Sequence, residues 1–263
     1  MRIAVAQIAS RIDPAVNLRL VTDGIRAAAD AGAALVVFPE AAMCAFGVAL
    51  APVAEPLDGP WATAVREVAD EHDVCAVVGM FTPASGGRVR NTLLATGRGV
   101  ETSYDKIHLY DAHGFRESTT VAPGTAPMTF TVDGVTVGLA TCYDVRFPGL
   151  FQTLADRGAE VVVMPSSWGA GPGKREQWDL LTRARALDST TFVAACDQAR
   201  PATAGVPTYG TAPTGIGASI VVAPDGSMVD QLDEAPGTLV VDLDLERVAQ
   251  VRAVLPVLVN RRF

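Results

Sequence analysis

The sequence predicts an α/β protein, a mixed β-sheet system covered by helices and built as one domain. Apolar runs of strand length recur along the chain with turn signals between them. Stretches with apolar residues at three- and four-residue intervals alternate with several of these runs, and tight-turn signals join others directly as hairpins. With 263 residues, 49% hydrophobic and 19% charged, the chain can bury one large core.

The elements follow in order. Residues 2–7 read as a strand that starts at once, without the basic, apolar and small-residue regions of a secretory leader. Residues 17–31 read as a helix because Leu18, Val21, Ile25 and Ala28 share a face, and Pro14 suits its start. The apolar run 34–38 is a strand. A second helix over 61–72 aligns Trp61, Ala64, Val65 and Val68. Strands over 74–80 and 91–96 come next. Residues 129–132, the turn Asp133-Gly134 and the strand beginning at Val135 and reaching Thr141 form a hairpin. Helices over 149–158 and 175–189 alternate with strands over 160–164 and 191–195. A strand over 218–222, a turn over 223–227, a strand over 238–241 and a helix over 245–254 complete the series. No repeat period, low-complexity tract or linker divides the chain. The one long irregular stretch is 198–217, and loops of that length cover a site or contact a partner.

The formal charge of −8 argues against a nucleic-acid partner, which needs a clustered basic surface. No window approaches the ~20 apolar residues that span a bilayer, so a cytoplasmic protein without membrane partner is expected. Cys44, Cys75, Cys142 and Cys196 are widely spaced and are expected to be thiols, not disulfides or zinc ligands.

Three residues sit where apolar runs end. Leu35-Val-Val-Phe-Pro-Glu40 delivers a carboxylate to the end of a strand, either as a helix cap or solvated group, or as a general base whose pKa burial raises. Lys106 has apolar neighbours on both sides, as a surface lysine or as an ammonium held in a pocket. His108 and His113 lack a third clustered ligand, so they read as structural and not metal-binding. Cys142 lies between an apolar strand and Pro148, which suits a helix start. Amide groups at such a junction favour a thiolate. Cys75 and Cys196 read as small buried hydrophobes, and Cys44 has no assigned role.

Together these segments form one pattern. Phe-Pro-Glu40, Asp-Lys106-Ile-His-Leu-Tyr-Asp, Phe-Arg-Glu117-Ser, Cys142-Tyr-Asp-Val-Arg-Phe-Pro and Trp178-Asp-Leu-Leu-Thr-Arg-Ala-Arg-Ala resemble the nitrilase, or carbon–nitrogen hydrolase, superfamily from Met1 to about Pro256. The resemblance implies a four-layer α-β-β-α sandwich, a homodimer or higher homo-oligomer, and no cofactor or metal. It implies Cys142 as nucleophile, Glu40 as general base and Lys106 as the cation that stabilises the tetrahedral intermediate. The Tyr143 N–H would be a second donor. Glu117 matches a further glutamate that orients the lysine or substrate, its alternative being a surface pair with Arg116.

Cys142-Tyr143-Asp144 is similar to amidases acting on ω-amides of keto acids or on deaminated glutathione, rather than to nitrilases. Such substrates carry a carboxylate, for which Arg146 is a candidate partner, the alternative being a pair with Asp144 or another buried acid. Ser167 and Trp168 are candidate pocket residues, with a core role the alternative for Trp168. Gly149, Gln177, Asp188-Ser189 and 215–219 depart from the pattern of those amidases and leave the substrate open. The expected activity is hydrolysis of a small amide with release of ammonia. Hydrolysis of an N-carbamoyl compound and a non-catalytic binding protein that kept the fold are the alternatives.

Overall fold

The computed structural model describes residues 1–262. The chain folds as β1 (Arg2–Gln7), α1 (Pro14–Asp30), β2 (Leu35–Val37), α2 (Pro60–Glu71), β3 (Cys75–Pro83), β4 (Val89–Gly97) and β5 (Val100–Asp105). A short hairpin follows, β6 (Asp111–Ala112) and β7 (Phe115–Arg116). The second half comprises β8 (Met128–Val132), β9 (Val135–Leu139), α3 (Pro148–Asp156), β10 (Val161–Ser166), α4 (Lys174–Ser189), β11 (Phe192–Asp197), β12 (Ile220–Val222) and β13 (Met228–Gln231). The chain closes with β14 (Gly237–Asp242), α5 (Glu246–Val254) and α6 (Val257–Asn260).

Two six-stranded sheets result, in the orders β14-β1-β2-β3-β4-β5 and β8-β9-β10-β11-β12-β13. Strand alternation decides how they stack. Ile3, Val5, Leu35, Val37, Cys75 and Val77 point inward from the first sheet and meet Val137, Leu139, Val161, Val163, Phe192 and Ala194 of the second. Their neighbours Ala4, Ala6, Val36, Ala76 and Val78 point the other way, onto Val21, Ile25 and Ala28 of α1 and Trp61 and Val65 of α2. Val162, Met164, Val193 and Ala195 likewise meet Phe151 and Leu154 of α3 and Trp178 of α4. With both faces covered, the central parallel strands read as continuous apolar runs. The layers are therefore α-β-β-α, as the resemblance implies. Each fully buried valine or leucine of this kind stabilises the fold by about 1.5–3 kcal/mol.

Both sheets have the same plan: an antiparallel edge, three parallel strands joined by two helices, then two antiparallel strands. The halves are thus topological repeats, although the sequence has no repeat period. Strand β14 reaches back from the C-terminal part of the chain to complete the first sheet, pairing Arg2 with Asp242. No helix among the described residues is long and apolar enough to cross a membrane.

Candidate active site

Glu40 lies just past β2. The chain turns sharply there, with Ala41 at φ 58°, and passes so close to β3 that a Cβ at Gly79 would stand 2.7 Å from the Pro39 carbonyl and 2.8 Å from the Ala41 nitrogen. Glycine at 79 thus permits the approach that seats Glu40. The carboxylate is 1% exposed. Its Oε1 accepts hydrogen bonds from Lys106 Nζ at 2.9 Å and Asn91 Nδ2 at 2.7 Å, and its Oε2 accepts from the Ser167 N–H at 2.9 Å.

Lys106 follows β5 directly, and its N–H donates to the Asn91 carbonyl at 2.9 Å. Its ammonium also donates to Glu117 Oε2 at 2.9 Å, an oxygen that accepts the Tyr110 N–H at 2.6 Å as well. Glu117 is therefore a buried partner of Lys106 and not of Arg116. Asn91, on β4, spends both amide hydrogens on carboxylates, donating to Glu117 Oε1 at 3.2 Å in addition to Glu40.

Cys142 follows β9 and opens a short 3₁₀ turn over Cys142–Arg146, with φ 46°. Asp144 ties this turn to the Lys106 segment. Its Oδ2 accepts from the Thr141 N–H at 2.8 Å and the Tyr104 hydroxyl at 2.7 Å. Its Oδ1 accepts from the His108 N–H at 3.1 Å and pairs with His108 Nδ1 at 2.7 Å. His108 stacks on Phe147 at 3.7 Å, which makes it a structural histidine, whereas His113 is exposed at the turn between β6 and β7. All four cysteines are free and buried, so backbone position and surroundings, not burial, distinguish Cys142. Burial pushes the Cys75 thiol up to about 12 and the Cys44 thiol up to about 11.

The electrostatics of the cluster follow from its burial. Desolvation raises the Glu40 pKa against the pull of Lys106, and the charge of Glu117 raises it further. Burial works to discharge Lys106, but Glu117 and Glu40 outweigh it and hold the ammonium charged. Burial and the neighbouring Glu40 charge push the Cys142 pKa well up, with Sγ 3.9 Å from the Ser167 carbonyl oxygen. The expected preference for thiolate is reversed in this resting arrangement. Desolvation is the largest influence on the sulfur and favours the neutral thiol over the thiolate.

Glu40, Lys106, Glu117 and Cys142 line one cavity of about 200 Å³, smaller than the roughly 300–1,000 Å³ of pockets for drug-sized ligands. Phe46, Val48, Leu50 and Val121 form an apolar wall. Tyr143, Arg146, Ser167 and Trp168 line it as well, and so does Lys174. Arg146 Nη2 donates to Gln177 Oε1 at 2.7 Å, while the oxygens of Asp144 are taken by other donors. Ser167 turns its hydroxyl to the Pro213 carbonyl at 2.9 Å. Trp168 is both core and wall: 4% exposed, it packs near Trp178 yet faces the cavity. The irregular stretch contributes Ala212 and Pro213.

Asn91, Asp197 and Lys174 are functional candidates that sequence reasoning missed. Asp197 is fully buried at the end of β11, and its carboxylate accepts the Trp168 N–H at 2.7 Å and the Ile216 N–H at 2.8 Å. It fixes the loop after β10 to the departing segment 215–219, which therefore supports the Trp168 wall from behind. Of the other departures, Gly149 faces open space and Asp188 pairs with Arg185 at 2.6 Å. A polar residue at a strand end, as at Asp197, was the available signal, but it is common in any α/β chain.

The model of the family described as carbon-nitrogen hydrolase matches residues 2–253. A protein of Mycobacterium tuberculosis (strain ATCC 25618 / H37Rv) named as a hydrolase is 54% identical over 267 residues, covering 99% of this chain and 95% of that one. The deaminated glutathione amidase of Escherichia coli O157:H7 is 37% identical over 213 residues, covering 80% of this chain and 76% of that one. Among solved structures, a mutant amidase from Nesterenkonia sp. AN1 carries the product of Michael addition of acrylamide at the active site cysteine. It matches with a TM-score of 0.81 and 28% identity, covering 97% of this chain and 98% of that one.

Proposed function

The chain belongs to the carbon–nitrogen hydrolase family, and from that premise we propose that it is an amidase, cleaving a small, carboxylate-bearing amide through a thioester on Cys142. The observation that carries this reading is the convergence of a buried carboxylate, an ammonium held charged and a neutral thiol in one small cavity. The likeness to a named amidase of E. coli and to the Nesterenkonia amidase supports an amide over a nitrile.

The chemistry follows from the charges. Glu40 takes the Cys142 proton as sulfur attacks the amide carbon, so the thiolate forms only when substrate is present. The raised pKa of Glu40 makes it a stronger base than a solvated carboxylate. Negative charge then develops on the substrate oxygen, where Lys106 Nζ and the Tyr143 N–H are the donors. Glu40 returns the proton to nitrogen, the C–N bond breaks and ammonia leaves. In the second half Glu40 takes a proton from water, hydroxide attacks the thioester, and the proton returns to sulfur as the acid departs. Glu117 and Asn91 act through Lys106 and Glu40 as positioning residues. Arg146 takes the carboxylate of the substrate, and Ser167 and Trp168 shape the wall beside it.

Ammonia released from a panel of ω-amides tests the reading. Release by the wild type, falling to the uncatalysed background in Cys142→Ala, is expected. No release above that variant would exclude an amidase on those substrates. Carbon dioxide among the products of N-carbamoyl acids, with no turnover of the amides, would replace the amide by a carbamoyl substrate.

A further inference from the structure

Two cations, Arg146 and Lys174, face the cavity with no acidic partner among the described residues. Half-buried Arg66 has Glu101 at 2.7 Å and Arg98 has Asp133 at 2.9 Å, while Arg252 is held away from the cavity by the Thr190 hydroxyl and the Ala159 carbonyl. The hydrogen bond of Arg146 goes instead to the neutral carboxamide of Gln177, which orients the guanidinium and leaves its charge uncompensated. The ammonium of Lys174 rests over the ring faces of Tyr110, at 5.9 Å, and Trp168, at 5.8 Å. The same Trp168 ring lies 5.3 Å from the Arg146 guanidinium carbon. Both cations are thus gathered around one indole on one wall.

That position is unfavourable for Lys174 in three ways. It is the first residue of the 16-residue helix α4, where the helix dipole repels a cation. Partial burial and the charge of Arg146 both press its pKa down. The ring faces of Tyr110 and Trp168 return only part of that cost. An anion entering the cavity would relieve all three, and a local conflict of this kind is characteristic of functional sites. The apolar side chains of Phe46, Val48 and Leu50 in the lining suit methylene groups, and Glu40, Lys106 and Cys142 line the same cavity.

We propose that Lys174 and Arg146 together seat a carboxylate of the substrate, with Lys174 the residue that selects anionic over neutral amides. The proposal rests on the amidase reading for its turnover test but not for its binding test. Glutaramate and pentanamide have the same chain length and differ in the terminal carboxylate. In Lys174→Met the ratio of kcat/KM for glutaramate to that for pentanamide is expected to fall about 10- to 100-fold, carried mainly by KM. Lys174→Arg is expected to recover most of the loss. An unchanged ratio, or equal losses on both amides, would overturn the seat. If the wild type hydrolyses neither compound, the amidase reading fails for such substrates and calorimetry decides the seat alone. Glutaramate binding to Cys142→Ala, abolished by adding Lys174→Met, would support it. Absence of binding, or binding indifferent to residue 174, would overturn it.

Discussion

Glu40 experiences opposed influences: burial, the largest, and the charge of Glu117 raise its pKa, while Lys106 lowers it. In its proposed role as base it must be ionised, so kcat/KM is expected to fall as pH drops through that pKa. Glu117→Gln removes one of the raising charges, and the acid limb is expected to move to lower pH. Lys106 loses a partner that keeps it protonated, so any alkaline limb set by it moves down as well. A fall in kcat of about 10- to 100-fold is expected from the misplaced ammonium. A pH–rate profile checks the signs, and an acid limb that stays or moves up contradicts the charge arrangement. Glu40, Lys106, Glu117 and Cys142 were legible because each sits in a recognisable run of neighbours. Asn91 was not, because its partner Glu40 lies 51 positions away and nothing local marks an amide that serves two carboxylates.

The elements were legible where burial imposed a pattern. The central strands read as apolar runs and the four large helices as amphipathic stretches. β5 buries only Val100 and Tyr104 on its alternation, and β13 buries almost nothing, so neither produced a strand signal. The hairpin of β6 and β7 has two residues per strand, too short for any periodicity. The predicted run 74–80 stopped short of Pro83 because β3 continues to an edge-like end where proline is tolerated. At the end of β11, Asp197 joins two loops that are also tied by the Gly215 N–H to the Trp168 carbonyl and by the Ser167 hydroxyl to the Pro213 carbonyl. Asp197→Asn turns an NH₂ group toward one of two backbone N–H donors, so one hydrogen bond becomes a clash. Destabilisation by about 1–3 kcal/mol is expected, seen as a lower denaturant midpoint. An unchanged midpoint would mean that the loops hold without it.

For the whole molecule, the layered plan was legible and the topological repeat was not. Two sheets can share a plan while sharing only the in–out alternation of apolar residues, which leaves no common sequence to detect. The helices α4, α5 and α6 expose the apolar side chains Leu180 (68%), Val254 (83%) and Val259 (81%). Exposed apolar side chains of this size suit burial in the homodimer that the family resemblance implies. A dimer mass in analytical ultracentrifugation, shifting toward monomer in Val254→Asp/Val259→Asp, is the expected result. A monomeric wild type would count against it. The site itself is divided between the halves: Glu40, Asn91, Lys106 and Glu117 come from the first, Cys142 and Ser167 from the second, joined by the Ser167 N–H to Glu40 contact. Because the first half supplies the carboxylates and the ammonium and the second supplies the sulfur, the cluster can be complete only when both halves of the chain are made and paired.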